Sequence, residues 1–132
     1  NKKRKGNKMK NKVEMGLRIL IGMLLAVSGL NKFFGFMPMP EMTETGMAFM
    51  MVLVKSKYIM PTIAIVEIIG GALLIANIAV PFALVLLAPI VINIFAFHLL
   101  LDPAGVGVGV VLMASLGWFA WNRKDSFLIL FK

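Results

Sequence analysis

The sequence predicts an all-α membrane protein, a bundle of four transmembrane helices with a short extra surface helix between the first and second spans. Hydrophobic residues make up 60% of the 132 residues and charged residues 15%, whereas soluble domains have about a half and a quarter. Four apolar runs each approach or exceed the ~20 residues that cross a bilayer as a helix. A chain this short cannot bury so much apolar surface in water, so lipid is the expected solvent.

The N-terminal segment, residues 1–12, is polar and basic, and we expect it to be disordered or to lie on the lipid surface. It contains seven of the fourteen basic residues: Lys2, Lys3, Arg4, Lys5, Lys8, Lys10 and Lys12. The net charge of +8 would also suit nucleic acid, but a basic block beside an apolar span is typical of the cytoplasmic side of a membrane. The lipid bilayer, and not nucleic acid, is therefore the expected partner.

The first predicted span covers residues 13–36 and ends before the helix-breaking run Met-Pro-Met-Pro at 37–40. Either Thr43 or Thr45 can then cap a second, shorter helix. The apolar part of that helix is too short to cross a bilayer. We expect a surface helix over about 43–57 on the outer side.

Three further spans complete the predicted bundle. The second covers about 59–79, and Pro61 suits its first turn. The third covers 81–101 and contains Pro89, which removes one backbone hydrogen bond and should kink the helix. The fourth covers 104–121.

Four crossings place both ends of the chain on one side of the membrane. Basic residues occur near both ends, and such residues mark the cytoplasmic side. We therefore expect a multi-pass protein of the bacterial inner (plasma) membrane with cytoplasmic N- and C-termini. Residues 13–132 would form a single transmembrane domain behind the basic tail.

Polar side chains concentrate in the outer half of this predicted bundle. At 1.5 Å per residue, three of them come out roughly 10–14 Å below the outer surface, namely Ser28, Glu67 and Asn93. Four more come out within about 6 Å of that surface, namely Asn31, Lys32, His98 and Asp102. Ionisable residues within spans are costly and usually functional, so the seven are predicted to line a ligand or proton pocket.

Few polar groups occupy the inner half, mainly Arg18, Asn77 and Asn122. These are close enough to the predicted inner ends of the spans to reach the interface. The predicted pocket therefore opens toward the outer side.

Glu67 is the central residue of the predicted pocket. At its depth it is expected to be protonated, or paired with Lys32 or His98. It could serve as a structural hydrogen bond that locks the bundle, or bind a ligand or a proton. Asn93 lies about 140° around the helix from His98 by ideal geometry, so those two need not face the same pocket.

The sequence shows no catalytic signature, and it leaves open whether the chain is an enzyme. No serine has a recognisable histidine and acid arranged around it, and no catalytic pair of carboxylates occurs. The chain has no cysteine, which excludes disulfide exchange and thiolate metal sites. His98, Glu67 and Asp102 could supply three metal ligands, but nothing fixes their geometry, and no metal site is predicted.

Several stretches of the sequence resemble DoxX-like membrane proteins. They are Gly-Leu-Arg-Ile-Leu at 16–20 and Val-Ser-Gly-Leu-Asn-Lys-Phe at 27–33 in the first span, Ala-Ile-Val-Glu-Ile-Ile-Gly-Gly-Ala-Leu-Leu at 64–74 in the second, and Ala83-Leu84, Pro89, Asn93 and Phe97-His98-Leu99 in the third. The resemblance covers roughly 13–121. It implies a four-helix membrane fold.

The same resemblance implies two functions of different classes. The first is a membrane subunit of a quinone-linked redox complex, with no cofactor within the chain and a quinone head group or a small anion as the ligand of the pocket. The second is a non-catalytic assembly or interaction partner of another membrane or exported protein. It would act through the Met-rich segment 37–57 and the helix faces that carry Gly70, Gly71, Gly105 and Gly109. A protein partner or a homo-oligomer is expected in either case. Disulfide formation by similar four-helix enzymes is not implied, because those act through cysteines.

Overall fold

The computed structural model describes residues 2–132 and is all-helical over that range. Its helices are α1 (Lys2–Phe34), α2 (Glu44–Lys55), α3 (Ile59–Ala76), α4 (Val80–Leu100), α5 (Val106–Trp121) and α6 (Lys124–Leu128). A 3₁₀ turn, Pro103–Gly105, leads into α5, and another, Ile129–Phe131, follows α6. Four of these elements are long and apolar enough to cross a membrane, and α2 is the shorter helix between the first two. The predicted fold class is therefore confirmed.

Helix α1 is longer than expected, because it starts at Lys2 and runs without a break to Phe34. Its 33 residues extend over about 50 Å, well beyond the ~30 Å of a hydrocarbon layer. The expectation of disorder or a separate surface segment is wrong for residues 2–12. Once the apolar span has formed a helix, adding residues costs far less than nucleating a new one, and lysine is a good helix former.

The helix ends follow local sequence signals. Thr43, rather than Thr45, caps α2: its hydroxyl accepts a hydrogen bond from Gly46 N at 3.0 Å. Helix α3 ends three residues before the predicted limit, where Asn77 takes a left-handed conformation with φ of 58°, a common way to end a helix. Helix α4 continues through Pro89 without a break.

Close packing of α1 against α3 forms the centre of the bundle. A Cβ atom on Gly71 would lie 2.5 Å from Gly22 O, and one on Gly29 would lie 2.7 Å from Ala64 O. The two contacts are seven residues apart on each helix and run in opposite directions, so the helices are antiparallel. Small residues let the two backbones approach this closely.

Two further glycines lie at contacts between helices. Gly70 faces the side chain of Leu87 on α4, and Gly109 on α5 faces Phe95 on α4. Around these contacts lies an apolar core contributed by all four spanning helices, including Ile21, Leu25, Leu74, Leu87, Leu112 and Phe119. The outward surfaces carry many exposed large hydrophobic side chains, which suits a lipid surrounding.

Candidate functional site

A buried ion pair joins the first and second spanning helices. Lys32 Nζ on α1 lies 3.1 Å from Glu67 Oε1 and 3.0 Å from Glu67 Oε2 on α3. The same ammonium group donates to Ser28 Oγ at 3.0 Å. Three of the seven predicted site residues therefore form one hydrogen-bonded group, the Lys32–Glu67 site.

Helix direction explains why these side chains meet. The Cα–Cβ bonds of an α-helix tilt toward its N-terminus. Because α1 and α3 are antiparallel, the long side chain of Lys32 points toward the middle of α1, and Glu67 points back toward the start of α3. The two therefore converge, beside the close contact of Gly29 with Ala64.

The burial of Glu67 makes its charge depend on a partner. Glu67 is only 1% exposed, whereas the Lys32 side chain is 18% exposed and borders the surface. An isolated carboxylate in such surroundings is strongly unfavourable, and the ammonium group offsets that cost. Of the partners considered from the sequence, the structure selects Lys32 and not His98.

A second cluster holds His98 and Asp102 apart from Glu67. His98 Nδ1 lies 3.6 Å from Asp102 Oδ2 and 3.3 Å from Asp102 O. Asp102 Oδ1 accepts a hydrogen bond from Thr43 N at 3.3 Å, and the Thr43 hydroxyl donates to Leu101 O. Gly105 packs against the imidazole ring. This cluster fastens the start of α2 to the turn after α4, and within residues 2–132 no hydrogen bond or ion pair joins it to Glu67.

The two asparagines of the predicted pocket bind nearby backbone instead. Asn31 Oδ1 accepts from Met37 N at 2.7 Å, where the chain leaves α1. Asn93 is exposed, and its amide donates to Pro89 O of its own helix at 2.8 Å. The structure therefore does not bring either asparagine into the Lys32–Glu67 site.

The opposite end of the bundle, which carries both chain termini, holds a polar cluster that the sequence reasoning missed. Arg123 donates to Glu14 Oε1 at 2.6 Å, and Asn122 donates to Glu14 Oε2. Arg123 also donates to Phe119 O at 3.0 Å. This terminal cluster joins the start of the first span to the end of the fourth. Opposite charges at matched depths on those two spans were the available signal.

Arg18 belongs to the same end and is buried, with 5% exposure. Its guanidinium donates to Leu74 O and lies 3.5 Å from Ile75 O, in the last turn of α3. A cation is favourable at a helix C-terminus, where carbonyl groups lack partners and the dipole is negative. The last turn of α3 has no basic residue of its own, so Arg18 supplies this favourable charge from another helix.

Two clefts open at this terminal end. The first, of about 370 Å³, is lined by Lys10, Asn11, Glu14, Asn122 and Arg123. The second, of about 250 Å³, adds Met15, Arg18 and Asn77 to three of those residues. The polar groups at this end are thus more closely associated than the sequence suggested: Arg18 is only 5% exposed, and polar residues line most of both clefts.

Comparison with known protein families identified a match over most of the membrane-spanning part. A family model described as DoxX matches residues 14–99, a range that begins in α1 and ends near the end of α4. The Lys32–Glu67 site and Arg18 lie within it, whereas Asp102 and Arg123 lie beyond it. No curated protein and no solved structure gave a significant match.

Proposed function

Because the chain belongs to the DoxX family of multi-pass integral membrane proteins, we propose that it is the membrane subunit of a quinone-linked redox complex and that its Lys32–Glu67 site binds the quinone head group. The observation that carries the proposal is the ion pair itself, buried between two spans and bonded also to Ser28. Ionisable residues within spans most often serve ligands or protons.

The chemistry of the site suits a quinone carbonyl. The three N–H groups of the Lys32 ammonium are directed at Ser28 Oγ and the two Glu67 oxygens, so a quinone carbonyl would replace one of these acceptors. The partial exposure of the Lys32 side chain lets a ligand approach. Reduction to a quinol takes up two electrons and two protons. The cysteine-free chain has no dithiol that could supply the electrons. The proposal assigns both electrons to a partner subunit, and Lys32 and Glu67 pass protons to the quinone.

Quinone binding to purified variants tests this function. Glu67→Gln keeps the shape of the side chain but removes its charge, and we expect about a tenfold loss of affinity for an added quinone. Glu41→Gln is the matched control, because Glu41 is exposed and precedes α2. Extraction of quinone from the purified wild-type protein supplies the second measurement. Equal binding by wild type and Glu67→Gln sinks the role of Glu67.

A non-catalytic interaction protein is the second candidate, and the surface of α2 favours it. This 12-residue helix exposes Phe49, Met51, Val52 and Val54. Methionine-rich apolar surfaces adapt to partners. Crosslinking in native membranes followed by purification would capture a protein partner or a second copy of the chain. The candidate fails if the chain always purifies alone, unchanged by replacement of residues 41–57.

The proposed orientation places both termini in the cytoplasm of a bacterial cell. The basic residues of the first part of α1 and the Arg123-Lys124 pair after α5 support it. Because the chain has no cysteine, single cysteines can be labelled cleanly. An impermeant maleimide added to intact cells should label Lys57→Cys and leave Lys8→Cys unlabelled, and the reverse pattern would invert the topology.

A further inference from the structure

The larger terminal cleft lies between the first part of α1 and the turn that joins α5 to α6. It is lined by Lys10, Asn11 and Glu14 on one side and by Asn122 and Arg123 on the other. The Lys32–Glu67 site does not include any of these residues. The cleft is therefore separate from the proposed quinone site.

The charges of the cleft leave a cation without a protein partner. Both oxygens of Glu14 already accept hydrogen bonds, from Arg123 and Asn122. Within residues 2–132 the ammonium group of Lys10 makes no hydrogen bond or ion pair. Arg18, in the adjoining cleft, adds a further positive charge beyond the balanced Glu14–Arg123 pair. The cleft thus has an excess positive charge, and it presents a free ammonium group at its wall.

The position of the cleft is that of a membrane interface. Directly on the spanning side of Lys10, Val13 and Met15 expose apolar side chains, and Trp121 does so at the end of α5. Lys124 lies 4.9 Å over the Trp121 ring. Aromatic residues next to lysines are typical of the head-group level. Because α1 continues as a helix past Lys10, the lysine is held in place at the cleft.

We propose that this cleft binds the phosphate group of an anionic phospholipid. Lys10 contacts the phosphate oxygens, Asn11 donates a hydrogen bond, and Arg123 contributes positive charge while it stays bonded to Glu14. Charge-assisted hydrogen bonds to phosphate are strong. The exposed side chain of Met15, which lines the adjoining cleft, then contacts the acyl chains. The proposal does not depend on the quinone function.

Native mass spectrometry of the full chain in mild detergent tests the site. We expect phosphatidylglycerol to give a saturable first adduct at lower concentration than phosphatidylcholine. Lys10→Ala should weaken that adduct about fivefold, and Lys10→Arg should restore most of it. Lys8→Ala is the matched control, because it removes the same charge from the same helix but does not line the cleft.

Each arm of the experiment has a decisive result. Equal weakening by Lys10→Ala and Lys8→Ala would show diffuse attraction to the whole basic helix and would overturn the site. Equal binding of the two lipids would overturn it as well. Inorganic phosphate is added as a competitor, and binding of free phosphate without binding of phosphatidylglycerol would refute the lipid. Unchanged melting temperatures of the variants exclude misfolding as the cause.

Discussion

The ammonium nitrogen of Lys32 lies within 3.1 Å of both carboxylate oxygens of Glu67. The pair joins two antiparallel helices whose backbones come close where Gly29 meets Ala64 and where Gly22 meets Gly71. Neither charge would be favourable alone at this depth. The pair therefore couples the integrity of the α1–α3 interface to the charge of the candidate site.

Removal of one partner should cost more than removal of both. We expect Glu67→Leu to destabilise the protein by about 3 kcal/mol, because the lysine would be left without its counter-charge. The double variant Lys32→Met with Glu67→Leu should recover much of that loss. Thermal unfolding in detergent of the two single variants and the double variant forms a closed cycle. Additive losses would show that the two side chains do not interact.

The glycine contacts between α1 and α3 should tolerate no side chain. A methyl group on Gly71 would lie 2.5 Å from Gly22 O and 2.9 Å from Ala26 N, so the helices would have to separate. We expect Gly71→Ala to cost roughly 1–3 kcal/mol of stability. Gly16→Ala is the control on α1, because nothing lies within 4 Å of its new methyl group. Similar melting temperatures for the two variants would contradict this packing.

Loss of the Arg18 guanidinium should loosen the end of α3. Arg18→Met removes the donor to Leu74 O and Ile75 O, and we expect a loss of about 2 kcal/mol. Hydrogen exchange should speed up at the backbone amides near Asn77. Arg4→Met makes the same substitution at an exposed position of α1 and should change neither quantity. Equal exchange rates in both variants would argue against the cap.

The N-cap of α2 offers a fourth structural test. Thr43→Val removes the acceptor for Gly46 N and the donor to Leu101 O, and the first turn of α2 should fray at a cost of about 1 kcal/mol. Limited proteolysis near residues 41–46 should become faster. Thr45→Val is the matched control, since Thr45 is exposed and makes no such bond within residues 2–132. Equally fast cleavage in both variants would contradict the assignment of Thr43 as the N-cap.

Part of the candidate site could be predicted from the sequence. The four-residue spacing of Ser28 and Lys32 puts both on one helix face, and the structure bonds them together. The spacing of His98 and Asp102 is equivalent, and they too interact. The position of Asn93 could not be predicted in the same way. Its place in the sequence gives its depth in the membrane, but the rotation of α4 about its axis decides which way its side chain faces. The clefts at the terminal end depend on residues more than 100 positions apart in the chain, such as Glu14 and Arg123.

The sequence by itself determined the solvent, the four spans and the short helix, because hydrophobic length, prolines and caps act locally along the chain. It also indicated that Glu67, within a span, is either protonated or paired with a basic residue. Only the tertiary structure decided that Lys32 is its partner and that Arg18 serves another helix. Both pairings depend on which helices are neighbours, on their relative direction and on the rotation of each helix about its axis. Contacts between residues far apart in the sequence determine these three properties.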